Sequence, residues 1–270
     1  MPPPPVLLST ASFFARPIAW TFGVAADAGY EGVEVMITKE PDSQDAGRIR
    51  SLAASSGLRV AALHAPCLLL TRNVWSVDPV AKVVRSVETA ADADIPTVVA
   101  HPPYRWQRGF RRWLVEELPT LETRTGIAVA IENMFPVHVG RRAVAFHADH
   151  ALEELEGLSH VALDTSHAGV ARRDLVEVRR RFGDRLRHVH LSDNAGRGWD
   201  SHLPPGDGVL DLDAFLEDLA GSRYGGAVSL EVDLRAQVGR DGTLEVLLRS
   251  MRERVEARLR RPRTVRAARR

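Results

Sequence analysis

Short apolar runs rich in β-branched residues recur along the chain and alternate with longer segments of helical periodicity. The runs fall at residues 6–13, 32–37, 59–66, 97–103, 127–134, 160–167, 187–193 and 227–233. The segments between them predict helices near 17–29, 43–56, 79–92, 110–124, 144–156, 172–182, 211–220 and 241–258. Strands that alternate with helices in this way predict a parallel sheet with helical crossovers.

Eight strand–helix units in a chain of 270 residues predict an α/β fold, a single-domain (β/α)8 TIM barrel over residues 1–257. A doubly wound open sheet is the alternative arrangement of such units. It is disfavoured because no G-x-G-x-x-G motif follows the first strand. No break in composition or flexible linker indicates a second domain.

The composition is that of a globular protein in water, with 44% hydrophobic and 26% charged residues. The single cysteine, Cys67, excludes an internal disulfide and a cysteine-based zinc site. These features predict a cytoplasmic protein. No signal peptide and no run of 18 apolar residues is found, so no membrane association is expected.

The net charge of +1 conceals an uneven distribution. Residues 258–270 contain seven arginines and no acid, so residues 1–257 carry 1 − 7 = −6. We expect the basic tail to be a disordered, solvated end past Pro262, with weak attraction to phosphate or nucleic acid as the alternative. The acidic body makes a nucleic-acid partner less expected than a small molecule, and assembly into a homo-oligomer is compatible with the sequence.

Ionisable side chains follow the predicted strands where each strand ends. Parallel barrels place their chemistry at the carboxyl ends of the strands. Four of these residues come from the last four strands and would meet at one barrel mouth: Glu132, Asp164, His190 and Glu231. Carboxylates that share a site repel one another unless a cation neutralises them. Three carboxylates and one imidazole suit Mn²⁺, Mg²⁺, Co²⁺ or Zn²⁺, so the sequence predicts a divalent metal site.

Other polar residues carry weaker signals. Glu34 reads as a hydrogen-bonded strand end or a substrate contact, and His188 as a core histidine one layer below His190. Surface roles are expected for His138, His147, His150 and His160. The segment "YRWQRGFRRW", residues 104–113, follows the fourth strand. It reads as an amphipathic helix start with Phe110 and Trp113 inward, or as a phosphate and ring contact through Tyr104, Arg105 and Trp106.

The chain resembles the xylose-isomerase-like TIM-barrel superfamily, which holds sugar-phosphate isomerases and epimerases together with endonuclease-IV-type AP endonucleases. The resemblance extends over about residues 6–257. Its motifs are "LHAP", "VVAHP", "AIEN", "LDTSHAG", "HVHLSD", "WDSHLPPGDG" and "SLEV".

Similarity to the epimerases and ketose isomerases implies one metal ion on Glu132, Asp164, His190 and Glu231. It further implies that Glu132 and Glu231 move the proton next to a metal-polarised carbonyl. His167 and Arg197 would then hold substrate oxygens. This chain departs from many such epimerases in having His138 where they carry a second glutamate.

Similarity to the AP endonucleases implies a cluster of three zinc ions. The further ligands would be His64, His101, His167, Asp200 and His202. An abasic-site nuclease also needs a basic groove and wedge residues. The body is acidic, and Cys67 stands where the nucleases usually place a tyrosine. The sequence therefore favours an isomerase or epimerase with one ion, and the alternative is a phosphoester hydrolase with two or three zinc ions.

Overall fold

The computed structural model describes residues 2–66, 71–139, 142–147, 155–239 and 242–260. Eight parallel strands close into a barrel in the order β1-β10-β9-β8-β5-β4-β3-β2. This arrangement confirms the predicted (β/α)8 TIM barrel. The barrel strands are β1 Val6–Ser9, β2 Gly32–Met36, β3 Arg59–His64, β4 Thr97–Ala100, β5 Ala128–Glu132, β8 Val161–Asp164, β9 Leu186–Leu191 and β10 Ala227–Leu230. A separate two-stranded hairpin consists of β6 Val137–Val139 and β7 Arg142–Val144.

Helices surround the barrel and begin and end where the sequence provides suitable residues. Asp45 caps α2 by accepting a hydrogen bond from the Arg48 N–H, and Gly57 ends it in the left-handed conformation. The helices within the described ranges are α1 Ile18–Asp27, α2 Ala46–Ser56, α3 Pro79–Asp92, α4 Arg108–Glu116, α5 Leu118–Thr125, α6 Thr165–Val170, α7 Leu175–Phe182, α8 Leu212–Ala220 and α9 Thr243–Leu259.

The apolar core lies between the barrel and this ring of helices. Strand residues such as Val33, Leu63 and Val98 are fully buried. Helix α3 turns Val83 and Val87 towards the same cluster. Because helices cover the outside of the barrel, its polar residues concentrate inside and at the carboxyl ends of the strands.

Two of the helix predictions were wrong in detail. The segment predicted as a helix from residue 144 begins instead with β7, which pairs antiparallel with β6. The rest of that segment lies largely outside the described residues. The helix predicted over 110–124 is two helices, because Pro119 lacks the N–H that a continuous helix would use.

At the carboxyl end of the chain, α9 continues to Leu259, and Arg258 forms an ion pair with Asp213. The predicted disordered tail past Pro262 lies outside the described residues. Across the described ranges, no helix has both the length and the apolar character needed to cross a membrane.

Candidate metal centre

His190 lies at the centre of the barrel mouth, and three carboxylates approach the same atom of its ring. Its Nδ1 is 3.1 Å from Glu132 Oε1, 3.3 Å from Glu231 Oε2 and 3.9 Å from Asp164 Oδ2. His190 and Asp164 are fully buried, and the Glu231 side chain is 15% exposed. These four residues, here called the His190 centre, are the four that the sequence predicted to share a metal ion.

Oxygen atoms of the His190 centre lack hydrogen-bond partners. Among the described residues, Glu132 Oε2, Asp164 Oδ2 and Glu231 Oε2 are buried and accept no hydrogen bond. A buried carboxylate oxygen without a hydrogen bond destabilises the fold unless a cation or a proton balances its charge. The donor set of three carboxylates and one imidazole therefore fits a divalent cation.

The charges of the His190 centre are strongly coupled. Burial raises the pKa of Asp164 and of Glu231. Burial also acts to raise the pKa of Glu132, but the neighbouring His190 holds it well below its usual range. Burial opposes a charge on His190, yet the adjacent carboxylates, first Glu34 and Glu231, raise the pKa of His190 well above its ordinary value. The raised pKa values favour protons on Asp164, Glu231 and His190, and a bound cation would replace these protons.

Two further histidines approach Glu132 from the neighbouring strands. Nε2 of His64 lies 3.5 Å, and Nε2 of His101 lies 3.3 Å, from Glu132 Oε2. His64, at the end of β3, is 1% exposed, and His101, just past β4, is 7% exposed. Potential ligand atoms of His64, His101 and Glu132 all lie within 4.8 Å of one another, so this set could hold a second ion that shares Glu132.

The remaining predicted ligands meet beside the loop after β9. Asp200 Oδ2 is 2.7 Å from His202 Nε2 and 3.4 Å from His167 Nε2, while Asp200 Oδ1 accepts a hydrogen bond of 2.6 Å from Ser166 Oγ. These four residues are called the Asp200 centre below. His202 has a φ of 39°, in the left-handed region that few residues other than glycine adopt.

Backbone carbonyls orient three of these imidazoles. In His64, Nδ1 lies 2.9 Å from the carbonyl oxygen of Ala65. In His167, Nδ1 lies 2.9 Å from the carbonyl oxygen of Asn133, and in His202 it lies 2.8 Å from that of Glu231. A carbonyl only accepts hydrogen bonds, so Nδ1 carries the proton in each ring. In the neutral ring, Nε2 then carries a lone pair that points towards a carboxylate. Metal-binding histidines have the same arrangement, with one ring nitrogen bonded to a carbonyl and the other free to bind the ion.

Asn133 ties two of the ligand-bearing elements together. Its side-chain oxygen accepts from the Asp164 N–H at 2.8 Å, and its amide donates to the Asp164 carbonyl at 3.1 Å. Asp164 Oδ1 accepts from the His167 N–H at 2.7 Å and so caps α6. Asp164 thus ends β8, starts α6 and still turns Oδ2 towards His190.

A cavity of about 440 Å³ lies beside His101, which forms part of its wall. Tyr104 stacks between Trp106 and His147, with ring centroids 4.8 and 4.4 Å away. All three rings line the cavity. Arg105, predicted to contact substrate with Tyr104 and Trp106, is exposed. Phe110 and Trp113 are buried, as an amphipathic start to α4 predicts.

Two predicted substrate residues lie away from the cavity. Arg197 is exposed in the loop after β9. Glu34 is fully buried inside β2, where Ser9, His188 and His190 engage its carboxylate. The side chain of Glu34 lies below His190, and a substrate contact of Glu34 stays a prediction.

Sequence reasoning missed two residues near the site. His147, assigned a surface role, is 7% exposed, packs 6.1 Å from the His101 ring and donates a hydrogen bond to the Pro102 carbonyl through Nδ1. Sequence reasoning did not place His147 at the site because residues 144–156 were predicted to form a helix. Asn133 follows Glu132 directly in the motif "AIEN", and its polarity at a buried strand end could have marked it.

The closed barrel and its histidine- and carboxylate-rich mouth define a TIM-barrel protein whose clustered side chains could hold a metal ion. Residues 22–254 match the family described as xylose isomerase-like TIM barrel. The chain belongs to this family, which confirms the resemblance noted in the sequence.

Individual relatives extend this likeness. The uncharacterized protein ML2432 of Mycobacterium leprae is 36% identical over 247 residues, covering 83% of this chain and 87% of the relative. The structure of D-allulose 3-epimerase from Methylomonas in complex with D-allulose matches with a TM-score of 0.66 and 20% identity, over 95% and 98% of the two chains. The IOLI protein with a bound zinc atom matches with a TM-score of 0.70 and 17% identity, over 94% and 97%. At these identities the two structures show the fold.

Proposed function

We propose that this protein is a divalent-metal-dependent isomerase or epimerase of small sugars or sugar phosphates. The observation that carries the proposal is the His190 centre, where three carboxylates with unpartnered oxygens approach one imidazole nitrogen. The family and the sugar-epimerase structures of the same fold support an enzyme of this class.

Glu132, Asp164, His190 and Glu231 would hold the ion. A bound divalent cation supplies positive charge that polarises a carbonyl and makes the adjacent C–H more acidic. Glu132 and Glu231 reach this point from different strands and carry the proton: one accepts it from carbon, and either returns it. Return to the opposite face would give an epimer, whereas return to the neighbouring carbon would give an isomer.

The neighbouring cavity supports a small polar substrate. Its volume of about 440 Å³ lies within the range of small-molecule sites. The stacked Tyr104 and Trp106 rings offer a flat apolar wall against which a sugar face can pack. Arg72 also lines this cavity and would favour a negatively charged group on the substrate.

Deuterium exchange tests the proposal. Metal-loaded protein is incubated in D₂O with a panel of ketoses and ketose phosphates, and mass spectrometry follows deuterium at the carbon next to the carbonyl. We expect exchange with wild type, and a loss of about 100- to 10,000-fold in Glu231→Gln. Glu177→Gln, an exposed change on α7, is the control and should exchange at the wild-type rate. Absence of exchange across the panel, with bound metal verified, contradicts the proposal.

A multinuclear phosphoester hydrolase is the second candidate. The observation that favours it is the set of three imidazoles whose Nδ1 atoms are held by carbonyls while Nε2 faces Glu132 or Asp200. Together with the His190 centre, these residues form three adjoining ligand sets. Several cations held in this way supply the charge that phosphodiester cleavage requires.

Metal content and one substrate separate the two candidates. About one tightly bound ion per chain favours the isomerase, and two or three favour the hydrolase. A duplex with a single abasic site provides the direct assay. Cleavage by wild type that is lost in His202→Ala, with His160→Ala as the matched histidine control outside the site, would establish the hydrolase.

A further inference from the structure

A buried cluster of three residues lies directly beneath the His190 centre. Nε2 of His190 is 3.1 Å from both oxygens of Glu34, and Nε2 of His188 is 2.5 Å from Glu34 Oε2. Ser9 donates a hydrogen bond of 3.2 Å to Glu34 Oε1. The side chains of Glu34, His188 and His190 are at most 1% exposed. The isomerase mechanism and the hydrolase alternative leave Glu34 and His188 without a role.

Glu34 determines which nitrogen of His190 carries hydrogen. An ionised carboxylate only accepts hydrogen bonds, so Nε2 of His190 acts as the donor to Glu34 Oε2, while Nε2 of His188 lies against the same oxygen. A neutral His190 with hydrogen on Nε2 has its lone pair on Nδ1. Nδ1 is the atom that the carboxylates of Glu132 and Glu231 approach.

Apolar packing alone does not call for these residues. The interior of such barrels is usually filled with branched apolar side chains, and a buried carboxylate is costly unless it is well hydrogen-bonded. Here one carboxylate faces two imidazoles and a hydroxyl, and the four residues come from three strands: Ser9 from β1, Glu34 from β2, and His188 and His190 from β9. The unfavourable burial of this carboxylate is explained if the cluster orients a ligand of the ion above it.

We propose that Glu34 is a positioning residue that holds His190 with hydrogen on Nε2 and Nδ1 turned to the cation, and that His188 anchors Glu34 in this position. The inference rests on the proposed cation site but not on the reaction that the site performs. Partners of this kind behind metal-binding histidines orient the ring and make it a stronger ligand.

Substitution of Glu34 separates its acceptor role from its size. Glu34→Gln has nearly the same shape but only one acceptor oxygen, and its amide group would face one of the two Nε2 atoms. We expect zinc to bind about 10- to 100-fold more weakly in Glu34→Gln, measured by competition with a chromophoric chelator. Glu177→Gln, the same substitution at an exposed position on α7 outside the cluster, is the control and should bind zinc as wild type does.

A spectroscopic measurement tests the hydrogen position without turnover. In zinc-loaded, ¹⁵N-histidine-labelled wild type, the His190 ring should show hydrogen on Nε2, with its proton resonance shifted downfield by the carboxylate. This resonance should move upfield in Glu34→Gln. A change in packing alone would not shift it selectively. If Glu34→Gln does not fold, the wild-type spectrum and His188→Gln, with a smaller upfield shift, carry the test.

The outcomes are distinct. Zinc affinity in Glu34→Gln within threefold of wild type, or hydrogen on Nδ1 of zinc-loaded His190, overturns the inference. Loss of one whole equivalent of zinc in Glu34→Gln also overturns it, because Glu34, His188 and His190 would then be ligands of an ion themselves. Failure of the deuterium exchange with normal zinc binding would contradict the proposed reaction and leave the role of Glu34 standing.

Discussion

The His190 centre and the Asp200 centre lie side by side at the barrel mouth but balance their charges differently. In the His190 centre, three carboxylates approach one imidazole nitrogen, and Glu132 also faces His64 and His101. An oxygen of each carboxylate has no hydrogen-bond partner among the described residues. In the Asp200 centre, one carboxylate is matched by two imidazoles and the Ser166 hydroxyl. The first arrangement leaves three carboxylate oxygens without a hydrogen bond, whereas both oxygens of Asp200 have partners.

This difference indicates which centre depends on a cation. Unpaired buried carboxylates are destabilising, so an ion at the His190 centre would relieve a cost that is present without it. At the Asp200 centre an ion would have to replace ion pairs that already exist. We therefore expect the His190 centre to bind the tightest ion, whatever reaction the protein performs.

The largest expected effect is on stability when the ion is removed. A ligand at about 1,000 times its Kd stabilises a protein by about 4 kcal/mol. For a chain of this size we expect chelation to lower Tm by about 10 °C. Scanning calorimetry with a chelator and with added Zn²⁺ or Mn²⁺ measures this difference. Equal Tm values in the two conditions would show that the unpaired carboxylates need no ion.

A pair of isosteric substitutions compares the two centres directly. Glu231→Gln removes a ligand of the His190 centre, and Asp200→Asn replaces the carboxylate of the Asp200 centre with a neutral amide. Loss of an indirect partner costs about 10- to 100-fold in metal affinity, so loss of a ligand should exceed about 100-fold. We expect Glu231→Gln to weaken the tightest ion by at least this factor and Asp200→Asn to leave it within about threefold. Similar losses in both, measured by chelator competition, would remove the distinction.

The smallest expected effect is the pH dependence of the Asp200 centre in metal-free protein. Burial acts to lower the pKa of His202, but Asp200 raises it from 6.5 to about 10. Because the folded value is the higher one, the stabilisation is complete below pH 6.5 and is lost as the pH rises to about 10. The pKa of Asp200 is lowered by His167 and His202 despite burial, so its contribution is lost as the pH falls below 3.8.

Thermal unfolding in a chelator from pH 4 to pH 10 measures this contribution, with the upper limit set by His202. A hydrogen bond between charged groups contributes about 2 kcal/mol, so we expect wild type to lose several degrees of Tm on the alkaline side. Asp200→Asn should show a smaller alkaline loss, because only the contribution of His202 and Asp200 is removed. Parallel profiles for the two proteins would show that the pair does not stabilise the fold.

The barrel and the candidate ligands could be predicted from the sequence because both depend on local patterns. Parallel strands bring their carboxyl ends to one face, so residues such as Glu132 and His190 must lie near one another once the strands are recognised. The pairing of Asp200 and His202 with His167 came from the resemblance to the AP endonucleases and not from a local pattern. The roles of these residues stay predictions until metal and substrate are tested.

Depth within the barrel could not be predicted. Glu34 lies mid-strand, opposite Ser9 on β1 and Ala62 on β3, next to a register shift between Val33 and Glu34. Counting from the strand end does not reveal whether such a residue reaches the mouth or lies below it. The placement of His147 depends on an antiparallel bridge to Tyr104, a non-local contact that periodicity does not report.

The bonds between Asn133 and Asp164 also bear on how such a barrel can evolve. They join the ends of β5 and β8 through four atoms of two residues, without involving the hairpin formed by β6 and β7. The intervening segment can therefore lengthen, shorten or be exchanged between relatives while the ligands keep their positions. New substrates could be acquired by replacing this segment, and we expect a graft of a relative's hairpin to leave the zinc affinity of the protein unchanged.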